Sequence, residues 1–496
     1  MAFFGWKKRC RQLEAENVRL QERNTWLEAR NAELEARNAQ VEAENTRLVQ
    51  TLAAAKKNST TSSKPPSSDI VKPPPKKPGK GQRRKIGGQA GHPKHERPLF
   101  TPEQITEQIF YPLERCPVDP SHRLVLVPEQ QRVLQQVELV KDPFVVTEHV
   151  GHGYWCEGCQ QFHHAEIPAE VLAAGLCGPR LTSLVCYLKG KLHGSYSGMR
   201  DFFGDVLGIK VSRGYLAKLI QKASQAFAQP YAQLMDLLPA QAYLNADETG
   251  HKENGDRFWT WCFRAKTFIV FKIAPSRGSD VLMDVLGQDF QGILGADFWG
   301  AYRKYARQCN ILIQFCLAHL IREVKYMVEF PEPSVQRYGK RLLAGLKALF
   351  STLHQKAELS PEAFALGLAT AQAQIRDAAL APLLHPRRYN KGNPHRLIQN
   401  MARRFHLHGE GYFRFITSPE IDPTNNCVEQ AMRFVVMDRH MTQGTRSKQG
   451  RDFCERLWTV MATCALQKRS AFDWMFQAIC EHFSGHPVPS LLLDSS

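Results

Sequence analysis

Over the first fifty residues an apolar position recurs every seventh residue: Leu13, Leu20, Leu27, Leu34, Val41 and Leu48. Asn17, Asn24, Asn31, Asn38 and Asn45 keep the same period, each four residues further on. Leu at d followed by Asn at a is the seam of a coiled coil. A buried Asn packs poorly and finds a partner only in register with another Asn. Five of them lower stability but define alignment, which favours a parallel two-stranded coil over a single solvated helix. Residues 1–55 are therefore expected to make a homo-oligomer.

Further along, residues 101–165 alternate apolar and polar in short runs. Val133 to Val140 and Phe144 to His149 are predicted as strands. Residues 171–228 turn helical. Met199 to Leu207, a turn over Gly208-Ile209-Lys210-Val211, and a second helix from an N-capping Ser212 to Lys222 fit a helix-turn-helix or an ordinary αα-hairpin. In the first case Arg213, Lys218 and Lys222 face outward. From Gln241 short β-runs take over. One ends at Asp247, Phe258 to Arg264 and Thr267 to Ala274 follow, then a helix from Ser279 to Leu286, a strand ending at Asp297, a helix, and a strand from Ile311 to Phe315. Three antiparallel strands, then helix, strand, helix and strand, make a mixed sheet of the ribonuclease-H type. The fold class expected is multidomain α/β. A coiled coil (1–55), a linker (56–100), a zinc-ribbon-like unit (101–170) and a helical domain (171–235) precede a catalytic core. The core runs over 236–330 and 411–470 around a helical stretch at 331–410, with a tail at 471–496.

Composition narrows the partners. The 496 residues carry a formal charge of +17 and a pI near 9.3, which points to a polyanion, with double-stranded DNA first. Over half of that excess lies between Lys56 and Arg97, where twelve Lys/Arg face only Asp69 and Glu96 among Pro and Ser/Thr. Such a segment buries too little to order itself. It is either a solvated linker or a basic arm in which Lys76, Lys77, Arg83, Arg84 and Lys85 meet phosphates by counterion release. Gly87 to His92 is no phosphate loop, since no strand precedes it and no Gly-Lys-Ser/Thr follows. No run approaches eighteen apolar residues, so no membrane is expected. The N-terminus turns polar at Lys7, too soon for a signal peptide, so cytoplasm is expected, with nucleoid association in a prokaryote.

Thirteen scattered cysteines suggest thiols or metal ligands rather than disulfides. Only Cys156 and Cys159 form a Cys-x2-Cys knuckle. Two thiolates on one Zn²⁺ need two more soft ligands, for which Cys116 and His122 are the first candidates and His163 or His164 the substitutes for His122.

The acidic residues suggest a second metal chemistry. Asp247 and Asp297 each end an apolar strand, and in a mixed sheet such tips lie side by side. Two close carboxylates repel unless a cation intervenes, and Mg²⁺ or Mn²⁺ requires oxygen donors. Two such ions roughly 3.5–4 Å apart clamp the attacking and leaving oxygens of a phosphoryl displacement. Glu429 is the best third ligand, in the first turns of a helix opened by Pro423-Thr-Asn-Asn426. Arg433 lies one turn on, and Arg439 and His440 extend a basic side toward DNA.

Taken together, Asn58-Ser-Thr-Thr-Ser-Ser-Lys-Pro-Pro-Ser-Ser-Asp69, Gly87 to His92, Tyr154-Trp-Cys-Glu-Gly-Cys159, Ala246-Asp-Glu-Thr249, Ala296-Asp-Phe-Trp-Gly-Ala-Tyr302, Cys316-Leu-Ala-His319 and Asn425-Asn-Cys-Val-Glu-Gln-Ala-Met-Arg433 resemble the large subunit of the insertion-sequence-sixty-six family of DDE transposases, nearly end to end. The resemblance implies that Asp247, Asp297 and Glu429 form a catalytic triad. It also implies a helical insertion between the last strand and the Glu429 helix, which the Ala/Leu-rich stretch from about 332 to 410 fits within the 132-residue separation of Asp297 and Glu429. It points to small accessory transposition proteins as possible partners. The chain departs from that pattern at Cys116 and His122, where a second Cys-x2-Cys is usual, and at Phe434, where Pro is common. Cys316 and His319 are read as structural or DNA-contacting. Arg387, Arg388, Lys391, His395, Arg396, Arg403 and Arg404 line either a DNA groove or a solvated helix face. The function expected is metal-dependent cleavage at the ends of an insertion sequence and transfer of the 3′-hydroxyl into target DNA. The rivals are an inactive DNA-binding repressor and a ribonuclease-H-like nuclease without strand transfer.

Overall fold

The computed structural model describes residues 2–55, 99–127, 133–140, 143–384 and 393–493. The basic arm with Lys76, Lys77, Arg83, Arg84 and Lys85, and also Arg387, Arg388 and Lys391, lie outside the described residues. Two compact units emerge. One holds Met1–Pro73, Gly151–Asp201 and Val211–Ser496; the other holds Pro74–Val150 and Phe202–Lys210.

The heptad repeat forms one unbroken helix, α1 (Ala2–Ala55), on which Leu13, Leu20, Leu27, Leu34, Val41 and Leu48 are all exposed. Among the described residues of the second unit the alternating runs give no strand. Val133–Val140 and the described residues to His149 have no ladder partner, and Leu134 and Val145 are exposed. Alternation shows which side chains share a face, but a strand exists only when another strand takes its backbone hydrogen bonds. The strands expected there are corrected to irregular chain. A hairpin forms just beyond them: β1 (Gly153–Cys156) pairs antiparallel with β2 (Gln161–His164).

Next come α2 (Ala169–Ala174), α3 (Pro179–Gly190), α4 (Tyr196–Asp205), α5 (Arg213–Ala226) and α6 (Ala228–Leu237). The stretch 169–190 has the length and hydropathy of a membrane span, but it breaks at Gly175 (φ 71°) into α2 and α3. A turn through Gly208 (φ 67°) separates α4 from α5, where the Ser212 hydroxyl accepts from the Tyr215 amide at 3.0 Å. Arg213 and Lys218 are exposed, as expected of outward-facing groups. Lys222 is not: its ammonium turns back to the carbonyls of Ala173 (2.6 Å) and Ala174 (3.2 Å), closing the end of α2.

The sheet comprises β3 (Tyr243–Glu253), β4 (Asp256–Arg264), β5 (Ile269–Ala274), β6 (Ile293–Ala296) and β7 (Leu312–Phe315). Its order is β5-β4-β3-β6-β7, the first three antiparallel and the last two parallel. Helices α7 (Ser279–Leu286) and α8 (Gly300–Cys309) make the crossovers to β6 and β7. Then come α9 (Leu317–Glu329), the inserted helices α10 (Pro333–His354), α11 (Pro361–Leu380) and α12 (His395–His408), the short α13 (Arg414–Thr417), and α14 (Asn426–Thr442), α15 (Lys448–Leu466) and α16 (Ala471–Phe483).

Strand alternation divides the core. Cys262, Ile269, Phe271 and Ile273 pack against Val428, Met432 and Val435 of α14 and Trp458 of α15. On the other side of β4, Trp261 and Phe263 stack, and Trp261 meets Tyr302 of α8. The open edge of β5 is closed by side chains. The amides of Ile269, Phe271 and Ile273 donate to Thr463 Oγ1, Thr459 Oγ1 and Glu455 Oε1 at 3.1, 3.1 and 2.7 Å. Every second strand residue thus matches every fourth helix residue, since two strand steps and four helix steps each span roughly 6–7 Å. That device leaves no free ladder for another strand.

Candidate active site

The register of β3 and β6 brings the two aspartates abreast. The parallel pairing runs from Tyr243↔Ile293 to Asn245↔Gly295, and Asp247 and Asp297 each follow two residues later. Equal offsets on neighbouring parallel strands put both side chains on one face, about one strand spacing apart. Asp297 follows the last residue of β6, as expected. Asp247 does not end its strand: β3 leaves β6 but stays paired with β4 as far as Glu253↔Asp256. It is the end of the parallel half alone.

Glu429 comes from the first turn of α14, whose start is tied to the same place. Asn425 Nδ2 donates to the Ala246 carbonyl (2.8 Å), and Asn245 Nδ2 donates to Asn425 Oδ1 (2.9 Å). The Asn425 amide points to Cys316 Sγ (3.1 Å), and the Cys316 amide donates to the Ala296 carbonyl (2.8 Å). The neighbours of all three acids are therefore linked in one buried chain. It passes over Gly295, where a Cβ would lie 2.5 Å from Asn245 Nδ2.

The electrostatics of Asp247 accord with this arrangement. The Asp247 carboxyl is held well above its usual range, first by burial and then by the charges of Glu248, Asp297 and Glu429. Glu248, a fourth carboxylate that the sequence reading passed over, is pushed up to about 7, chiefly by burial and by Asp297. It is clamped by Arg277 through Nε (2.7 Å) and Nη2 (2.6 Å), and by a short hydrogen bond from the Tyr302 hydroxyl. Glu429 faces Arg322 Nη2 (3.2 and 3.3 Å) and His319 Nδ1 (3.6 Å). His319 Nδ1 is buried without a hydrogen-bond partner, and burial with Arg322 nearby lowers the imidazole's pKa. His319 therefore belongs to the acid cluster. The spacing Cys316-x2-His319-x2-Arg322 places these residues on one side of the first turns of α9, a signal legible in the sequence.

A buried carboxyl whose pKa is raised by neighbouring carboxylates, as that of Asp247 is, fits a place for hard divalent cations. Asp247, Asp297 and Glu429 offer oxygen donors, while Glu248 is already taken by Arg277 and Tyr302.

The expected basic residues behave differently from one another. Arg433 and His440 are exposed on α14. Arg439 is turned inward, with Nη1 donating to Thr249 Oγ1 (3.1 Å) and, over a short contact, to the Gly250 carbonyl, so it fastens α14 to β3 rather than facing solvent. In the insertion, Arg404 pairs with Glu323 (2.7 Å) and lies over Phe298, the residue after Asp297, with Arg303 over the same ring.

On the hairpin, donor atoms of Cys156, Cys159 and His163 lie within 4.8 Å of one another. His163 Nε2 is 3.0 Å from Cys159 Sγ, and the amides of Cys159 and Gly158 hold the Cys156 thiol below its usual pKa. Amides pointing at sulfur favour the thiolate that a metal requires. Of the two histidines considered as substitutes, His163 is the one placed with this knuckle. In the other unit Cys116 Sγ lies 3.8 Å from His122 Nδ1, its thiol lowered by the amides of Asp119 and Val118, and Asp119 lies 3.7 Å from His122.

A five-stranded mixed sheet flanked by helices is consistent with a ribonuclease-H-like DDE core. The chain belongs to the IS66 family of transposases: the family model described as "Transposase IS66 family" matches residues 174–452, more than half of its length. Residues 9–98 match a family of unknown function (DUF6444). An uncharacterized protein of Sinorhizobium fredii is 22% identical over 393 residues, covering 72% of this chain and 69% of that protein. Family membership implies DNA transposition and divalent metals.

Proposed function

We propose that the protein cuts the ends of an insertion sequence and joins the exposed 3′-hydroxyl to target DNA, with Asp247, Asp297 and Glu429 as its catalytic carboxylates. The observation that carries this reading is the equal offset of Asp247 and Asp297 beyond the Asn245↔Gly295 pair, together with the tie from Asn425 that brings Glu429 to them. Divalent ions held there, Mg²⁺ or Mn²⁺, would lower the pKa of the attacking water and offset charge on the phosphoryl oxygens. The chain itself supplies the oxygen donors and holds their geometry. Arg322 and His319 stand beside Glu429, where a phosphate would meet them. A Ser or Tyr nucleophile and a covalent protein–DNA intermediate have no part in this reaction.

DNA is held, in this reading, by Arg433, one turn beyond Glu429, and by His440 in the last turn of α14, by Arg213 and Lys218 on α5, and by the basic arm. Two copies associate through the exposed leucines of α1. Zn²⁺ on Cys156, Cys159 and His163 stiffens the hairpin. The test is Mg²⁺- or Mn²⁺-dependent nicking of the inverted-repeat DNA that flanks the gene. Asp297→Ala and Glu429→Ala should abolish nicking while leaving DNA binding intact; nicking at the normal rate in either variant refutes the site. Incubation with a pre-cut 3′-hydroxyl end then distinguishes strand transfer from simple nuclease action.

A further inference from the structure

Next to the acid cluster the surface opens into a cavity of about 560 Å³ that the reaction above does not use. Arg277, Ser279, Asp280, Trp299, Lys304 and Gln308 line it. Two of these are fastened to the acids. Arg277 is bound to Glu248, and the Trp299 amide donates to Asp297 Oδ1 at 2.8 Å. Arg277 is stacked between two indoles, with its guanidinium carbon 4.8 Å from the Trp259 ring and 4.2 Å from that of Trp299. Trp299 is nevertheless 43% exposed. A large aromatic ring, steadied by a guanidinium and left open to a cavity, is a platform for a second flat π-system.

The polar lining narrows the ligand. Lys304 and Gln308 lie one turn apart on α8. Lys304 is exposed and makes no ion pair among the described residues. Asp280 accepts a hydrogen bond from the Ser276 hydroxyl at 2.9 Å and retains capacity to accept another from an exocyclic amine or ring N–H. A flat ring with N–H donors, joined to an anion, is a nucleotide. Position agrees: Trp299 is two residues from Asp297, about 7 Å of extended chain, and adjacent nucleotides along a strand are separated by about 3.4 Å of rise.

We propose that this cavity receives one unpaired nucleobase of the strand being cut, stacked on the open face of Trp299, with the attached phosphate near Lys304. The proposal rests on reading the neighbouring carboxylates as the place of strand cleavage. Base–aromatic stacking tolerates any base, so the site registers the strand's position rather than its sequence. Extruding the base costs unstacking energy, which the platform offsets.

The test uses the full-length protein in Ca²⁺, without turnover. The probe is a duplex with a short single-stranded tail carrying 2-aminopurine at one tail position per probe. Stacking on Trp299 should quench emission at one position in the wild type and in Trp299→Phe, and Trp299→Ala should restore it. Trp299→Ala should also weaken binding by about fivefold or more. An abasic nucleotide at that position should erase the difference between wild type and Trp299→Ala. Lys304→Gln should lower the salt dependence of binding. Quenching that survives in Trp299→Ala, or no quenched position in the wild type, overturns the proposal. None of these readouts needs cleavage, so nicking at the normal rate in Asp297→Ala would sink the catalytic assignment alone, while the quenching result would stand or fall by itself.

Discussion

Asn425 Nδ2 donates to the carbonyl of Ala246 over 2.8 Å, joining the residue before Asp247 to the residue four positions before Glu429. Asn425 is 1% exposed, and its Oδ1 is also taken, by Asn245 Nδ2. Its side chain makes no helix-capping bond at the start of α14; it serves the strand instead. Asn425→Ala leaves the Ala246 carbonyl without this donor and Asn245 without this acceptor, at a cost of about 2–4 kcal/mol. Thermal unfolding should shift down accordingly. Nicking should fall at least about tenfold at temperatures where the variant is still folded, because misplaced ligands cost rate steeply. Nicking at the wild-type rate would show that α14 holds Glu429 in place without this tie.

Two arginines on α14, equivalent by composition, should separate in experiment. Arg433 is exposed and free to meet a phosphate, whereas Arg439 is held by Thr249 and Gly250 of β3. Arg433→Ala should weaken DNA binding uniformly across sequences and lower the slope of log K against log salt by about 1. Arg439→Ala should leave that slope alone and reduce stability by about 1–3 kcal/mol. Salt titrations of DNA affinity, paired with denaturant unfolding, distinguish the two roles.

His251 makes stability depend on pH. It is 3% exposed, with Nε2 3.2 Å from Thr445 Oγ1 and Nδ1 without a partner. Burial, and then the charges of Arg439 and Arg451, lower its pKa to about 4. The native imidazole therefore stays neutral where the unfolded one, near 6.5, takes up a proton. Stability present above pH 6.5 should decline as pH falls toward 4, by up to about 3 kcal/mol, and this group adds nothing further below that. His251→Gln removes the titration, so the difference between variant and wild type in denaturant unfolding should narrow over that window. Parallel curves would assign the acid sensitivity to other groups.

The sheet was legible because its signals are local. The helix Ser279–Leu286 was placed to the residue, and the strand expected to end at Asp297 stops one residue before it. What escaped depends on partners distant in the chain. Alternation at Val133–Val140 could not reveal that no strand among the described residues lies alongside. Nothing near Lys222 in the sequence shows that the end of α2 needs its ammonium. Glu248 was hidden beside Asp247, since its burial comes from Arg277 and Tyr302. His319 was read only as structural or DNA-contacting and Arg322 was passed over, because their spacing shows the side of α9 they share but not that Glu429, more than a hundred residues away, faces it.

Metal on the hairpin has its own signature. Cys156, Cys159 and His163 offer two sulfurs and one nitrogen, a set suited to Zn²⁺ and to Co²⁺ in its place. Co²⁺ added to chelator-stripped protein should give a thiolate-to-metal absorption band, lost in Cys159→Ser and weakened in His163→Ala.

The leucine seam on α1 makes the last prediction. A helix of 54 residues with its d positions in water is poorly stabilised alone, since most helical stability comes from a packed apolar face. A second copy would bury the seam and align the asparagines. Leu20→Glu with Leu27→Glu places charges at two adjacent d layers and should convert dimers to monomers in sedimentation, with a loss of helical signal. Asn24→Leu with Asn31→Leu should act in the opposite direction, raising the melting temperature while admitting trimers or shifted registers, because the polar pairs are what exclude them. If the glutamate pair leaves the mass unchanged, α1 does not hold the copies together; if the leucine pair leaves a single dimeric species, alignment is set elsewhere than at the asparagines.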